Sequence, residues 1–150
     1  MSRDCKNFLN YRIYLDACCL NCPFDDLTQP RIALEAQAVL TIIHECETGQ
    51  SQLIASAALE VELAQMPNRE KLNNIKAILA IAKIYVNNSP TLEQRSLELR
   101  QLSFGSYNAL HLASAEQSHA NIFLSTDDRL VNKAKRYNEI LQISVDNPVQ

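Results

Sequence analysis

Five short apolar runs alternate with segments of helical period along the whole chain, and this alternation limits the available folds more than any other feature. The runs are "RIYLDACCL", "SQLIAS", "KIYVN", "NIFLST" and "LQISV". They are rich in β-branched and aromatic residues and short enough to be strands. Between them lie "RIALEAQAVLTIIHECETG", "AALEVELAQM", "REKLNNIKAILAIA", "TLEQRSLELRQLSF", "YNALHLASAEQSHA" and "DDRLVNKAKRYN", where apolar residues recur at helical spacing. Strand–helix alternation of this kind predicts an α/β chain, with a parallel sheet flanked by helices on both faces. At 150 residues, one domain spanning 1–150 is expected.

Punctuation supports this division. Gly49 ends the long helix after the first loop, where "CPFDDLTQP" is marked by Pro23 and Pro30. Pro67 and Asn68 break the next helical stretch, and Gly105 is placed to close "TLEQRSLELRQLSF". These two glycines are the only ones, which excludes a glycine-rich phosphate loop. Net charge is −3 at pH 7, so a nucleic-acid site would have to be a local basic patch or work through metal ions. There is no apolar run long enough to span a membrane and no apolar segment in "MSRDCKNFLNYR", so a cytoplasmic protein is expected. The five cysteines, at 5, 18, 19, 22 and 46, read as reduced thiols. Cys19 and Cys22 have C-x-x-C spacing, but zinc would need a second ligand pair, with His44 and Cys46 the only other cluster.

In a parallel sheet, ligands bind beyond the carboxyl ends of the strands. Asp16 ends the first run, Asp127 and Asp128 follow "NIFLST", and Glu60 and Glu62 lie on the helix after "SQLIAS". The first turn of "YNALHLASAE" adds position 108. Carboxylates gathered in one cleft suit Mg²⁺ or Mn²⁺, hard cations that take oxygen ligands and assist phosphodiester cleavage. Each acid also has a plainer role. Asp127 is placed to cap the helix that follows it, Asp16 to enter a turn, and Glu60 and Glu62 to be solvated helix charges. Glu35 lies in an apolar stretch with Arg31 four residues before it, which predicts a salt bridge.

From "RIYLDACCLNCPFDD" to "FLSTDDRLVNKAKR" the sequence resembles a PIN domain, and the opening "LDxCCLNxPFDD" is similar to a bacterial PIN subgroup. The resemblance implies a three-layer α/β/α fold and a metal-dependent nuclease, such as the VapC-type toxins of toxin–antitoxin pairs. The family pattern places acids after the first strand, on the helix after the second, at the start of a later helix and after the fourth strand. "YLDACCLN" supplies Asp16, "SAALEVEL" supplies Glu62 counted from Ser56, and "LSTDDRL" supplies Asp127. Helical periodicity alone barely separates Glu62 from Glu60. The third position falls in "NALHLASA", so Asn108 stands where the family carries Asp.

The resemblance therefore implies catalytic Asp16, Glu62 and Asp127, and a metal shell of those three with Asn108 around Mg²⁺ or Mn²⁺. It also implies RNA as substrate, a cognate antitoxin and a homodimer as partners, and a packed or hydrogen-bonded His111. Phosphate contacts are expected from Arg129 and Lys133, with Lys135, Arg136, Arg31, Arg95 and Arg100 as further candidates. Thr126 is placed to order a ligand or cap a helix. Asn108 keeps the shape of Asp without its charge, which implies a weakened nuclease. The rival reading is an inactive PIN-like module that binds RNA or a protein.

Overall fold

The structure, a computed structural model, describes residues 11–149, so Cys5 lies outside the described residues. Its sheet has five parallel strands in the order β3-β2-β1-β4-β5. These are β1 (Arg12–Leu15), β2 (Gln52–Ser56), β3 (Ile84–Val86), β4 (Ile122–Leu124) and β5 (Ser144–Asp146). The helices are α1 (Ala17–Asn21), α2 (Pro30–Glu47), α3 (Ala57–Leu63), α4 (Arg69–Leu79), α5 (Pro90–Arg100), α6 (Ser106–Gln117) and α7 (Asp128–Arg136).

The chain builds outward from β1 to β3, then returns to add β4 and β5 on the other side of β1. Parallel crossovers are right-handed, so reversing direction sends the connecting helices to the opposite face. The result is the expected three-layer α/β/α arrangement. The reversal also opens a crevice between the carboxyl ends of β1 and β4, where doubly wound sheets bind ligands.

The core is built on β1 and β4. Tyr14 and Phe123, paired in register, stack at 5.2 Å with their rings 8° from parallel, and both are fully buried. Leu15, Leu53, Ile54, Leu59, Leu99 and Leu112 pack into the same cluster. α6 is buried along most of its length, including His111, Ser114 and Glu116. α7 is amphipathic, burying Leu130, Val131 and Ala134 and exposing most of its charges.

Polar caps start most helices. Asp16 Oδ1 accepts from Cys19 N, Ser56 Oγ from Leu59 N, Asn68 Oδ1 from Lys71 N, Ser89 Oγ from Leu92 N, and Asp127 Oδ1 from Arg129 N. Each answers an amide that the first turn leaves without a partner.

Two local readings are corrected. The first strand ends at Leu15, just before Asp16 as expected, but the rest of that run is a helix, α1, started by the Asp16 cap and burying Cys19 and Leu20. Gly105 does not close α5. The left-handed turn falls on Ser103, with φ of 75°, and Gly105 stands before α6 with φ of −64°. Gly49, with φ of +87°, does end α2 as expected. Among the described residues, no helix is long and apolar enough to cross a membrane.

Candidate active site at the sheet reversal

Asp16 follows β1 directly, and its amide donates to Leu124 O at the end of β4, 3.2 Å away. Its carboxylate is 3% exposed. Burial pushes its pKa up to about 6; the Ser125 hydroxyl, the Cys19 amide and His111 pull it back part way, and the charge of Glu62 adds a smaller rise. The Cys18 thiol is pushed up to about 12, first by burial and then by the charges of Asp16, Asp127 and Glu62. Three carboxylates from the ends of β1, β2 and β4 thus share one negative field. A shallow cavity of about 440 Å³ opens beside them, lined by Cys18, Asn21, Glu62, Met66 and Tyr107 among others.

Each of the three acids already gives one oxygen to the protein. Asp16 Oδ1 caps α1. Asp127 Oδ1 caps α7, so its plainer role is realised, and its own amide donates to Ser125 Oγ, not to Thr126. Glu62 Oε1 accepts from His111 Nε2 at 2.6 Å. Asn108, in the first turn of α6, is partly exposed and makes no side-chain hydrogen bond among the described residues. The expected four-residue shell is consequently not drawn together by these rotamers: among the described residues, no three His, Cys, Asp or Glu side chains stand as a metal-holding group.

The donor set still suits one hard cation. It offers three carboxylates and an amide oxygen, and a buried carboxylate such as Asp16, whose pKa burial and the charge of Glu62 raise, is one a cation would relieve. It does not suit two ions, because Asn108 removes the fourth charge. Glu60 is exposed beside Tyr85 in a separate cavity, away from this crevice.

Other candidates are committed elsewhere. Arg31 holds Asp128 through two hydrogen bonds, 2.6 and 2.8 Å, and Glu35 through a third at 3.2 Å. The buried Glu35 carboxylate also accepts from Asn147. Arg95 is locked onto Glu116, Glu98 and Ile140 O. Both arginines are thus engaged in ion pairs, Arg31 with Glu35 and Asp128 and Arg95 with Glu116 and Glu98. Lys133 Nζ donates to Ser103 O at 2.7 Å and lies over the Phe104 ring. Lys135 pairs with Asp146. The Arg129 guanidinium makes no side-chain hydrogen bond among the described residues and is exposed. Cys19 and Cys22 are buried, and burial raises both thiols, Cys22 to about 11. Sequence reading assigned His111 no partner; its link to Glu62, 49 positions away, appears only in three dimensions.

No protein-family model and no curated protein matches the sequence. Solved structures do match it. A chain of VapBC2 from Rickettsia felis, crystallised bound to a DNA fragment from their promoter, superposes with a TM-score of 0.57. It is 11% identical and the match covers 91% of this chain and 98% of that one. PAE2754 from Pyrobaculum aerophilum superposes with a TM-score of 0.52 at 17% identity, over 91% and 83%. The chain has a PIN-like fold. At these identities the likeness carries the PIN-like architecture alone, and the chemistry rests on the residues at the crevice.

Proposed function

We propose that this chain is a PIN-type phosphodiesterase that cleaves RNA with one Mg²⁺ or Mn²⁺, and that Asn108 weakens it. The observation that carries the reading is the shared negative field of Asp16, Glu62 and Asp127 at the sheet reversal. Asp16, Glu62 and Asp127 would hold the cation, with the Asn108 carbonyl oxygen as a neutral fourth donor. When bound, such an ion activates a water and stabilises charge on the phosphate oxygens.

The protein's own part is positional. Asp16 is fixed by its cap and by burial, so its carboxylate has little freedom to lose on binding. Asp127, half-buried, is fixed by its own cap at the start of α7. Arg129, two residues on and exposed, is placed to meet a phosphate. Asn108 removes one unit of negative charge. At about 4 Å and an effective dielectric near 20, that charge is worth ~4 kcal/mol before desolvation is subtracted. Even a quarter of this is about a fivefold loss in cation affinity. A cytoplasmic protein with a cognate antitoxin and a homodimeric state completes the reading, supported by the likeness to a chain of the VapBC2 complex.

A second reading is an inactive module that binds RNA or a protein without cutting. It is favoured by the absence, among the described residues, of three His, Cys, Asp or Glu side chains grouped to hold a metal. Mn²⁺ titration and cleavage of a fluorescent RNA by the wild type, Asp16→Asn and Asn108→Asp separate the two. The first reading expects slow cleavage by the wild type, none by Asp16→Asn, and faster cleavage with tighter Mn²⁺ binding by Asn108→Asp. Cleavage by Asn108→Asp alone establishes the second reading. If no variant binds Mn²⁺ or cuts, the metal-site assignment is wrong.

A further inference from the structure

Four side chains, from β1, the end of β2, α3 and α6, form one continuous hydrogen-bond chain. Leu59 N donates to Ser56 Oγ at 3.1 Å. Ser56 Oγ lies 2.7 Å from the Tyr14 hydroxyl, which lies 2.7 Å from His111 Nδ1. His111 Nε2 lies 2.6 Å from Glu62 Oε1. Tyr14 and Ser56 are fully buried and His111 is 1% exposed, whereas the Glu62 side chain is 33% exposed. The chain therefore begins in the core and ends at the crevice.

The direction of every proton follows from the chemistry of the groups. A carboxylate only accepts, so His111 Nε2 must carry hydrogen. In the neutral imidazole, Nδ1 is then an acceptor and Tyr14 donates to it. Burial raises the phenol pKa and keeps that proton in place. The Tyr14 oxygen accepts from the Ser56 hydroxyl, whose oxygen accepts the Leu59 amide. Every donor meets one acceptor, and none is orphaned in the core. Reversing any link strands a proton on a buried atom.

We propose that His111 is a positioning residue for Glu62, held as the Nε2–H tautomer by Tyr14 and Ser56 so that Glu62 Oε1 is fixed and Oε2 is left for the cation. Its value for metal affinity rests on the single-cation reading above; the tautomer and the carboxylate contact do not. A packing histidine needs only its volume and satisfied nitrogens. This one extends three buried polar groups outward to fix one half-buried carboxylate. Partners of this kind, behind metal ligands, typically change affinity by about 10- to 100-fold when lost.

The test uses the full chain and two substitutions. Gln at 111 can place its amide nitrogen near the position of Nε2 and keep the bond to Glu62; Asn is too short. Imidazole ¹⁵N NMR of the wild type should show the Nε2–H tautomer. Calorimetry should show Mn²⁺ binding about tenfold or more weaker in His111→Asn and close to wild type in His111→Gln. The carboxyl ¹³C resonance of Glu62 should move in His111→Asn and stay in His111→Gln. An Nδ1–H tautomer overturns the proposal, as does equal Mn²⁺ affinity in all three proteins. If the wild type binds no Mn²⁺, the single-cation reading fails by itself. The Glu62 resonance then decides: movement in His111→Asn alone sustains the positioning role, and no movement ends it.

Discussion

Arg95 grips Glu116 with two hydrogen bonds, Nε to Oε1 at 2.7 Å and Nη2 to Oε2 at 3.0 Å, across 21 residues of sequence. The Glu116 carboxylate is buried and also accepts from Gln142 N, while Arg95 reaches Ile140 O. One ion pair thus ties α5 and α6 to the segment that leads into β5. The partner charge raises the Arg95 pKa, so the cation is permanent.

Removing Arg95 leaves Glu116 buried with a single amide donor. Arg95→Ala is expected to lose about 3 kcal/mol of unfolding free energy, the usual cost of breaking a buried pair from one side. Urea denaturation reads this directly. RNA affinity, measured where the variant is still folded, should keep its wild-type salt dependence, because this guanidinium is mostly buried and held by Glu116, Glu98 and Ile140 O. A mild stability effect with a reduced salt slope would return Arg95 to the list of RNA contacts.

The contrast between α7's basic residues gives a second expectation. Arg129→Ala should weaken RNA binding at low salt and lower the slope of log affinity against log salt by about 0.7, the value for one phosphate contact on a single strand. Lys133→Ala should leave that slope alone. Its ammonium instead satisfies Ser103 O at the left-handed turn and lies over Phe104, so its loss should cost about 1 kcal/mol of stability. Fluorescence anisotropy at several salt concentrations, paired with thermal melts, separates the two residues. Wild-type slopes in both variants would remove α7 from the RNA surface, and a lowered slope for Lys133→Ala would add Lys133 to it.

The strands were legible because β-branched and aromatic residues concentrate in five short runs, and a parallel sheet buries them on both faces. α1 was not legible. Its five residues continue the apolar run of β1, and only the Asp16 cap separates them. Positive φ is ordinarily glycine's, but after α5 it falls on Ser103, two residues before Gly105. Asp16 follows the end of β1 directly, and Asp127 starts the helix three residues after β4, so both fall at the carboxyl edge of the sheet. That they are also helix caps shows how one carboxylate can fill both roles. The pairs Arg95–Glu116 and Glu62–His111 carry no local signal. Each joins side chains on different helices, 21 and 49 positions apart, so helical spacing within one segment says nothing about them.

The burial of Asp16 makes a third expectation, about pH. Its pKa of about 6 in the folded protein stands above the ordinary value of 3.8, chiefly because burial disfavours the charged form. The folded state therefore binds this proton more tightly than the unfolded chain does. Asp16 contributes that stability fully below about pH 4 and loses it as pH rises through 6. Asp16→Asn keeps an oxygen to cap Cys19 N and has no charge to desolvate. In chelator, to remove stray cations, the variant should be about 2–3 kcal/mol more stable than the wild type at pH 7. The difference should close below pH 4, where both side chains are neutral. Urea unfolding at pH 3.5, 5 and 7 follows the closure. A pH-independent difference would mean that Asp16 is not the group that titrates. A variant less stable at pH 7 would mean that its carboxylate is compensated in the free protein, and the crevice would then lack the uncompensated negative charge that a cation would relieve.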